Sequence, residues 1–353
     1  MVRKDSICPD VGAHGSSASG LIFFISIQLI RRTLYEWFLN SHLILSALVF
    51  LALWRHISSQ KPAALFLLIG VGVWTLSTVI SWTSFGYRNF VLGRPFATAT
   101  VVSDNREVTQ VHVSVPRPWR VKPGQFIFLS IPKLGVFTGL RGHPFMISWW
   151  EHDQRGLTLS LLVKSRAGFT AELDRHTDKP LQAFIDGPYG VQHDFGEYET
   201  VIMFATGIGI AGCIPYIKDL LLGYNSCEVR TRRIRVAWEI KEQRHESWVK
   251  AWMDKLLDMD TGYRIEEVPG PINVEGVLDL EATSLNQRER MMVSLCTDKS
   301  ITDRVRTHVG KIDKRVRMFE LDFEPSLKGR WSLTESRQSP AGSSPDMDFK
   351  CRG

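Results

Sequence analysis

Two long stretches near the start of the chain are almost entirely apolar. Residues 35–56 contain one acid, Glu36, near the start and Arg55 near the end, and residues 62–85 carry no charge. A helix needs ~20 apolar residues to cross a bilayer, so both stretches are predicted to span a membrane. The apolar run at 21–30 is too short to span and is interpreted as the stump of a further membrane helix. Buried core helices are the alternative, but two such long, charge-poor stretches favour spanning.

Basic residues set the predicted orientation of this membrane part, residues 21–90. Four arginines flank the two long stretches on one side: Arg31, Arg32, Arg88 and Arg94. The short connection between the stretches carries Arg55 and Lys61. By the positive-inside rule, residues 90–353 are therefore predicted to be cytoplasmic, below a multi-pass segment of the plasma membrane.

After residue 90 the pattern of apolar positions changes twice. Short alternating runs at 98–102, 111–115 and 126–131 predict an antiparallel β-barrel over residues 91–195. From residue 200, apolar strands at 201–205 and 234–240 alternate with helices that end near 222 and 257, which predicts a parallel sheet over residues 196–325. The polar, small-residue ends, 1–20 and 326–353, are predicted to be disordered.

Charge and cysteine content argue against nucleic-acid binding and against a zinc site. The net charge is +6, but the basic residues are spread along the chain, and the one dense cluster, residues 230–235, is interpreted as a solvated loop. No nucleic-acid partner is therefore expected. The five cysteines include no CxxC pair, so no zinc site is indicated.

A glycine motif follows the first strand of the predicted parallel sheet. Gly207, Gly209 and Gly212 form GxGxxG between that strand and a helix, where backbone N–H groups and the helix dipole can bind a pyrophosphate. A purely structural glycine turn is the alternative. After the second strand, Glu239 would suit the ribose of NADH.

Two basic residues beyond Glu239, Lys241 and Arg244, would suit the additional phosphate of NADPH, or lie solvated on a loop. Both possibilities stay open at this point. Of the two nucleotides, NADPH is expected.

Three motifs stand inside the predicted barrel: RGHPFMIS at 141–148, KSRAGFT at 164–170 and DGPYG at 186–190. Each alone is an ordinary turn or helix start. In this order and followed by the glycine motif, they resemble the ferric reductase and NADPH oxidase family of membrane flavocytochromes, over residues 31–324. The resemblance is to a fungal-type ferric-chelate reductase shortened at its N-terminus, and it implies a ferredoxin reductase-like flavin barrel followed by a nucleotide domain.

The resemblance implies FAD contacts for six residues. Four of them would line the flavin ring and its ribityl chain: His143, Pro144, Phe145 and Met146. Met146 replaces the family's usual Thr or Ser. Gly168 and Thr170 would face the pyrophosphate, and a glycine and a hydroxyl at a helix start are suited to that role.

Further positions would lie where flavin and nicotinamide meet, namely Gly187, Pro188 and Gly190. Cys296 matches a family cysteine that touches the nicotinamide, although Thr297-Asp298 replaces the family's Gly-Pro. A buried structural cysteine is the alternative. Phe323 would pack on the flavin, with Pro325 in place of the family's tryptophan.

Two histidines in the first long stretch are predicted haem ligands. His42 and His56 are 14 residues apart, so they share a helix face and are separated by ~21 Å along the axis. Residues 35–56 resemble the family helix that gives one axial histidine to each of two haems. Each haem needs a second histidine, and residues 62–85 contain none. A partner chain or further N-terminal helices would have to supply them.

The sequence thus predicts a membrane-bound reductase that passes electrons from NADPH to FAD, to haem and to an extracellular ferric or cupric chelate, in contact with membrane lipid. A flavin diaphorase and a superoxide-forming NADPH oxidase are alternatives with other acceptors. A degenerate, non-enzymatic membrane protein is a further alternative, suggested by the departures at Met146, Thr297-Asp298 and Pro325.

Overall fold

The computed structural model describes residues 35–57, 61–103, 107–135, 139, 141–153, 156–166, 168–177, 179–240, 242–260, 262, 264–268, 271–286, 288–312 and 315–321. The predicted disordered ends and the apolar run at 21–30 lie outside the described residues. The chain divides into two compact units, with the boundary between Ser84 and Phe85.

Both long apolar stretches form helices. Helix α1 spans Tyr35–Ile57, and helix α2 spans Lys61–Asn89, about one turn beyond its predicted end. Among the described residues, α2 is the one helix that is long and apolar enough to cross a membrane, whereas the apolar part of α1 is limited to Ile44–Ile57. One span therefore agrees with the prediction, and the multi-pass arrangement stays a prediction.

The flavin half, residues 98–189, consists of two antiparallel sheets around a shared core. Its strands are β1 Thr98–Ser103, β2 Val108–Val115, β3 Phe126–Ser130, β4 His143–Met146, β5 Trp149–Asp153, β6 Gly156–Lys164, β7 Leu181–Gln182 and β8 Phe184–Tyr189. They pair in the orders β5-β6-β2-β1-β7 and β4-β3-β8, and the short helix α3 spans Phe169–Leu173. The predicted antiparallel strands are confirmed, but their hydrogen bonds form two sheets rather than one closed barrel.

Alternation along these strands explains the shared core. Val111 and Val113 of β2 are fully buried together with Ile127 and Leu129 of β3, whereas intervening positions are more exposed. Successive strand residues point to opposite faces, so each sheet presents one apolar face to the other. Packing against the larger sheet therefore holds the sheet that carries the HPFM motif in position.

The nucleotide half is a parallel sheet with helices on both faces. Its elements are β9 Thr200–Thr206, α4 Ile210–Asn225, β10 Arg233–Glu239, α5 Lys250–Met259, β11 Ile265–Val268, α6 Val274–Ser284, β12 Met291–Cys296, α7 Lys299–Val309 and β13 Val316–Glu320. The strand order is β11-β10-β9-β12-β13, and every pairing is parallel. The predicted parallel sheet is confirmed. Because the order reverses at β9, ligands are expected at the carboxyl end of that strand.

One expectation about charge is wrong. The arginine cluster before β10 was expected to be a solvated loop, but Arg235 lies inside β10 and is buried. Its guanidinium pairs with buried Glu281 of α6 at 2.9 Å and also with Glu266 of β11. Arg233 lies two positions earlier, on the same strand face, and pairs with Glu281 as well. Because Glu281 lies far from Arg235 along the chain, the residues around Arg235 do not indicate this ion pair.

The flavin and nucleotide halves share a buried interface centred on Lys218 of α4. The Lys218 ammonium lies 3.8 Å from the ring centre of Trp149 and 4.5 Å from that of Trp150, and it donates to the Trp150 carbonyl oxygen. Trp149 in turn stacks on Trp252 of α5, with ring centres 6.3 Å apart. Burial lowers the pKa of Lys218 to about 8, and nearby Glu151 opposes that shift.

The last turn of α2 is attached to the flavin half by Asn89. This side chain is buried, its Nδ2 donates to the carbonyl oxygen of Ile185 at 2.7 Å, and its Oδ1 accepts from the Ile185 N–H at 2.8 Å. The amide therefore satisfies both backbone groups of one β8 residue, as a neighbouring strand would. Leaving such buried groups unpaired costs about 1–3 kcal/mol each.

Lys218 should make stability depend on pH above neutrality. Its folded pKa, about 8, lies below the ordinary 10.5, so the unfolded chain holds one more proton between these values and stability should rise with pH there. At ~1.4 kcal/mol per pH unit, the free energy of unfolding should gain about 3 kcal/mol from pH 8 to 10.5 relative to Lys218→Met. Urea unfolding of the detergent-solubilised chain, followed by tryptophan fluorescence, measures this.

The exposed Lys250→Met provides the matched control, which should run parallel to the unsubstituted chain at every pH. The assignment would be contradicted if the difference in free energy of unfolding between Lys218→Met and the unsubstituted chain stayed constant from pH 8 to 10.5. It would be contradicted as well if Lys218→Met gained stability relative to the unsubstituted chain over that range.

Candidate functional site

The HPFM strand and the AGFT segment lie against each other. His143 of β4 stacks on Phe169 of α3 with ring centres 4.1 Å apart and planes 20° apart, and Phe145 lies 6.0 Å from the same ring. Across the sheet, Met146 pairs with Phe126 and Pro144 with Phe128. Two motifs that are separate in sequence thus form one surface. Phe169 was not among the predicted contact residues, although it stands inside the AGFT motif.

Gly168 stands at the start of α3 with an open face. Its φ of +79° suits glycine, it is exposed, and a Cβ added there would meet no atom within 4 Å. Behind it, the hydroxyl of Thr170 accepts from the Arg166 N–H at 2.8 Å. The turn before it is fixed by Asp174, which accepts from Ser165 at 2.7 Å. The arrangement leaves backbone room at Gly168 for a bulky anionic group.

The GPYG motif ends β8 in a tight, crowded turn. Gly187 has a φ of +135° and Gly190 a φ of +98°, and Pro188 follows a cis peptide bond. A Cβ at Gly190 would lie 2.2 Å from the carbonyl oxygen of Gly124, so a side chain is excluded. Tyr189, not predicted as a site residue, packs between Phe126 and Phe128, and its hydroxyl donates to Asp186 at 2.6 Å.

The glycine motif lies at the carboxyl end of β9, as predicted. Residues Gly207–Gly209 make one 3-10 turn that leads into α4. Gly207 has a φ of +51° and nothing within 4 Å of an added Cβ, so the α-carbon side of this residue faces open space. The indole N–H of Trp238 donates to the Gly207 carbonyl oxygen at 2.8 Å and fixes the orientation of that peptide. Open N–H groups at a helix start are suited to bind phosphate.

Cys296 is buried directly behind this turn. Added Cβ atoms would lie 2.1 Å from its carbonyl oxygen at Gly209 and 3.3 Å from its Sγ at Gly212. The two glycines therefore let α4 approach β12 closely. Burial raises the pKa of the neighbouring Cys213 thiol, with Cys296 adding to the effect. This packing agrees with the structural alternative for Cys296, and its nicotinamide contact stays a prediction.

The residues after β10 are described only in part. Glu239 pairs in register with Thr206, next to the glycine turn, and one of its carboxylate oxygens accepts from the Ile272 N–H at 3.3 Å. Lys241 and the side chain of Arg244 lie outside the described residues, as does Phe323. Their predicted roles stay predictions.

The two binding edges, namely the end of β8 at GPYG and the start of α4 at the glycine motif, come together near Tyr216 of α4. A Cβ added at Gly124 would lie 2.7 Å from the Tyr216 hydroxyl and 2.6 Å from the carbonyl oxygen of Val191, the residue just after GPYG. The Tyr216 ring stacks on Phe195 at 4.5 Å, and burial raises its pKa. No local motif pointed to this contact, because it joins residues about 90 positions apart.

A histidine stands beside the same junction. His193 packs on Phe319 of β13 with ring centres 3.7 Å apart, and burial lowers the pKa of this imidazole. Among the described residues, no group of three or more His, Cys, Asp or Glu side chains could hold a metal ion. His42 and His56 both lie on α1, as predicted.

Comparison with known proteins identifies both halves. Residues 92–193 match the family described as FAD-binding domain, and residues 198–267 match the ferric reductase NAD binding domain. The ferric/cupric reductase transmembrane component 2 of Saccharomyces cerevisiae is 25% identical over 244 residues, which cover 67% of this chain and 32% of the relative. The ferric/cupric reductase transmembrane component 7 from the same yeast is 24% identical over 298 residues, which cover 83% of this chain and 43% of the relative.

Among solved structures, the Amycolatopsis cytochrome P450 reductase GcoB aligns with a TM-score of 0.46 and 15% identity, over 65% of this chain and 69% of that one. The chain spans about a third of the length of several curated relatives that it matches.

Substitutions at two of the glycines should have different costs. Gly209→Ala would push a Cβ against the backbone of Cys296, so we expect a loss of about 1–3 kcal/mol in the free energy of unfolding. Gly212→Ala meets only the Cys296 Sγ and gains helix propensity, so its cost should be under about 1 kcal/mol. Urea unfolding measures both values.

Cys296→Ala is the matched second substitution, because it removes the Sγ but keeps the carbonyl oxygen. It should relieve any strain in Gly212→Ala but only part of the cost of Gly209→Ala, because a Cβ at Gly209 would lie 3.2 Å from the Sγ and also 2.1 Å from the carbonyl oxygen, which stays. Equal costs for the two glycines, or full rescue of Gly209→Ala by Cys296→Ala, would show that the contact is wrongly described.

Proposed function

We propose that the chain is a membrane-bound, NADPH-dependent reductase of ferric or cupric chelates. Its two halves match a FAD-binding domain and the ferric reductase NAD binding domain, in agreement with the resemblance of its motifs. The observation that carries the proposal is the meeting of the two binding edges at Tyr216. The turn after GPYG and the helix after the glycine motif touch there, so a flavin on β4 and β8 and a nicotinamide on α4 would be neighbours.

In the proposal, the flavin half holds FAD. His143, Pro144, Phe145 and Met146 line the isoalloxazine and ribityl chain, and Gly168 with Thr170 receives the pyrophosphate. The fit is favoured by the open space above Gly168 and by the half-buried rings of His143 and Phe145, which pack on the buried ring of Phe169. When bound, FAD accepts a hydride and releases electrons singly, so the protein contributes binding and orientation.

The nicotinamide nucleotide is assigned to the carboxyl end of β9. Gly207 leaves open space where a pyrophosphate could approach the backbone, whereas Gly209 and Gly212 allow the close approach of α4 to β12. Gly187, Pro188 and Gly190 lie on the flavin side of the junction, and Cys296 lies behind the turn. Phe323 is retained as a flavin contact on the basis of the sequence resemblance alone.

We further propose NADPH as the donor nucleotide. Lys241 and Arg244 follow β10 at positions suited to the 2′-phosphate, and the nearby Glu239 already accepts a backbone hydrogen bond from Ile272. An acceptor carboxylate would suit NADH, whereas basic side chains suit a phosphate.

Replacing Lys241 and Arg244 together by Ala should lower kcat/KM for NADPH by about 10–100-fold, since a charge-assisted hydrogen bond contributes about 1.5–3 kcal/mol. The value for NADH should stay nearly unchanged. Ferricyanide reduction by the detergent-solubilised chain measures both, and exposed Lys250→Ala is the control. A wild-type preference for NADH, or equal losses with both nucleotides, would overturn the assignment.

The acceptor side of the proposal includes haem on α1. His42 and His56 would each give one ligand, and the second histidine of each pair would come from another helix or a partner chain. The two relatives named above are called transmembrane components of ferric/cupric reductases, and the same acceptors are proposed here.

His42→Ala should leave NADPH-dependent ferricyanide reduction intact and abolish ferric-chelate reduction by cells, because only the second reaction needs electrons to cross the membrane. The absorbance spectrum should lose Soret intensity and keep the flavin bands. The matched control is His152→Ala, an exposed histidine on β5, which should change neither activity. Unchanged ferric-chelate reduction in His42→Ala would remove haem from the proposed path.

A further inference from the structure

Four exposed apolar side chains fall within ten residues of the chain where α2 ends. Tyr87 is 60% exposed, Phe90 56%, Leu92 fully exposed at 104%, and Phe96 44%. In the described part of residues 85–321, the other exposed large apolar side chains are scattered singly along the chain: Val102, Val191, Leu222, Leu257 and Leu280. We call the group Tyr87, Phe90, Leu92 and Phe96 the junction collar. Such a concentration of exposed apolar side chains points to an interaction site.

The collar is held in place by the flavin half. Phe90 and Phe96 meet edge to face with ring centres 5.5 Å apart, and both contact Phe184 of β8, at 6.5 and 6.1 Å. The buried amide of Asn89 attaches the preceding residue to Ile185 of the same strand. The apolar side chains therefore project outward from a fixed backbone, and exposing them to water costs roughly 25 cal/mol per Å².

Guanidinium groups surround the collar. Arg117 lies over the Tyr87 ring at 3.6 Å, and Arg88 lies over the Trp119 ring at 4.5 Å. Arg94 is exposed and donates to the Pro116 carbonyl oxygen at 3.0 Å, which leaves further N–H groups available. Residues 85–103 and 108–123 contain no acidic residue. The surface around the collar is therefore apolar and positively charged.

Two observations indicate what covers this surface. The collar begins within one turn of the uncharged part of α2, the helix that is long and apolar enough to cross a membrane. Aromatic residues mixed with arginines at the end of such a helix match the interfacial layer of a bilayer, and the positive charge complements anionic headgroups.

We propose that the junction collar inserts into the interfacial layer of the membrane and that Arg88, Arg94 and Arg117 face anionic lipid headgroups. The inference rests on the proposed membrane placement of α2 and goes beyond it, because it makes the segment between α2 and β1, which packs on the flavin half, a lipid-binding surface. The occupant is the anionic bilayer surface, and it fixes the depth at which the flavin half lies.

The test uses the full chain in nanodiscs made of equal parts phosphatidylcholine and phosphatidylserine, with a nitroxide attached to Leu92→Cys. Leu280→Cys on α6, 57% exposed, is the matched control, and Val73→Cys on α2, 63% exposed, is the membrane reference. Power saturation compares collisions with oxygen, which concentrates in lipid, and with a water-soluble nickel chelate. The unsubstituted chain, labelled in parallel, gives the background from its own cysteines.

We expect labels at positions 92 and 73 to favour oxygen and the label at 280 to favour the nickel chelate. If 73 favours oxygen while 92 favours the chelate, the collar does not contact lipid, although the placement of α2 stands. If 73 itself favours the chelate, the proposed membrane placement fails and the collar proposal with it. A position 92 shielded from both reagents would mean that protein covers the collar, which also overturns the proposal.

The headgroup contact has its own test. Arg94→Gln, added to the Leu92→Cys chain, should reduce the oxygen preference in the phosphatidylserine nanodiscs and leave it unchanged in phosphatidylcholine alone. Lys250→Gln, on the exposed start of α5, removes the same charge elsewhere and should have no effect. Equal losses in both lipids, or an equal loss from Lys250→Gln, would overturn the headgroup contact.

Discussion

The close packing of helix α4 against three different partners determines the rest of the site. At its start, Gly209 and Gly212 let the helix lie directly against Cys296 of β12. One turn later Tyr216 reaches Gly124, and after another half turn Lys218 enters between two tryptophans of the flavin half. Because one rigid helix makes all three contacts, the phosphate-binding turn, the end of β8 and the interface between the halves cannot move independently.

The buried ammonium of Lys218 is the costly part of this arrangement. Removing a charge from water is unfavourable, which is why its pKa falls to about 8. The two indole rings and the Trp150 carbonyl oxygen offset part of that cost. Apolar packing of Trp149 on Trp252 fixes the same interface without charge, so the lysine adds orientation more than net stability.

Local chemistry in the sequence was sufficient to predict the elements and much of the site's position. The spacing of Gly207, Gly209 and Gly212 after an apolar strand predicted a turn at the carboxyl end of β9, because the positive φ of Gly207 and the close approach of Gly209 to Cys296 both favour glycine there. The order of the barrel motifs predicted the family. Contacts between distant segments were missed: nothing near Trp238 in sequence indicates that its indole holds Gly207, and Arg235 was wrongly expected to be solvated because Glu281 lies 46 residues away.

Strand β8 connects the end of α2 with the candidate flavin edge. Ile185 carries the buried hydrogen bonds from Asn89 at the end of α2, and Pro188 lies three residues further on, at the junction of the two binding edges. Three residues of an extended strand cover ~10 Å. In the proposed reaction, electrons that leave the flavin would therefore start close to the strand that anchors α2. A displacement of the end of α2 would shift the flavin edge with it, so the proposed membrane placement and the proposed electron transfer would be coupled through one strand.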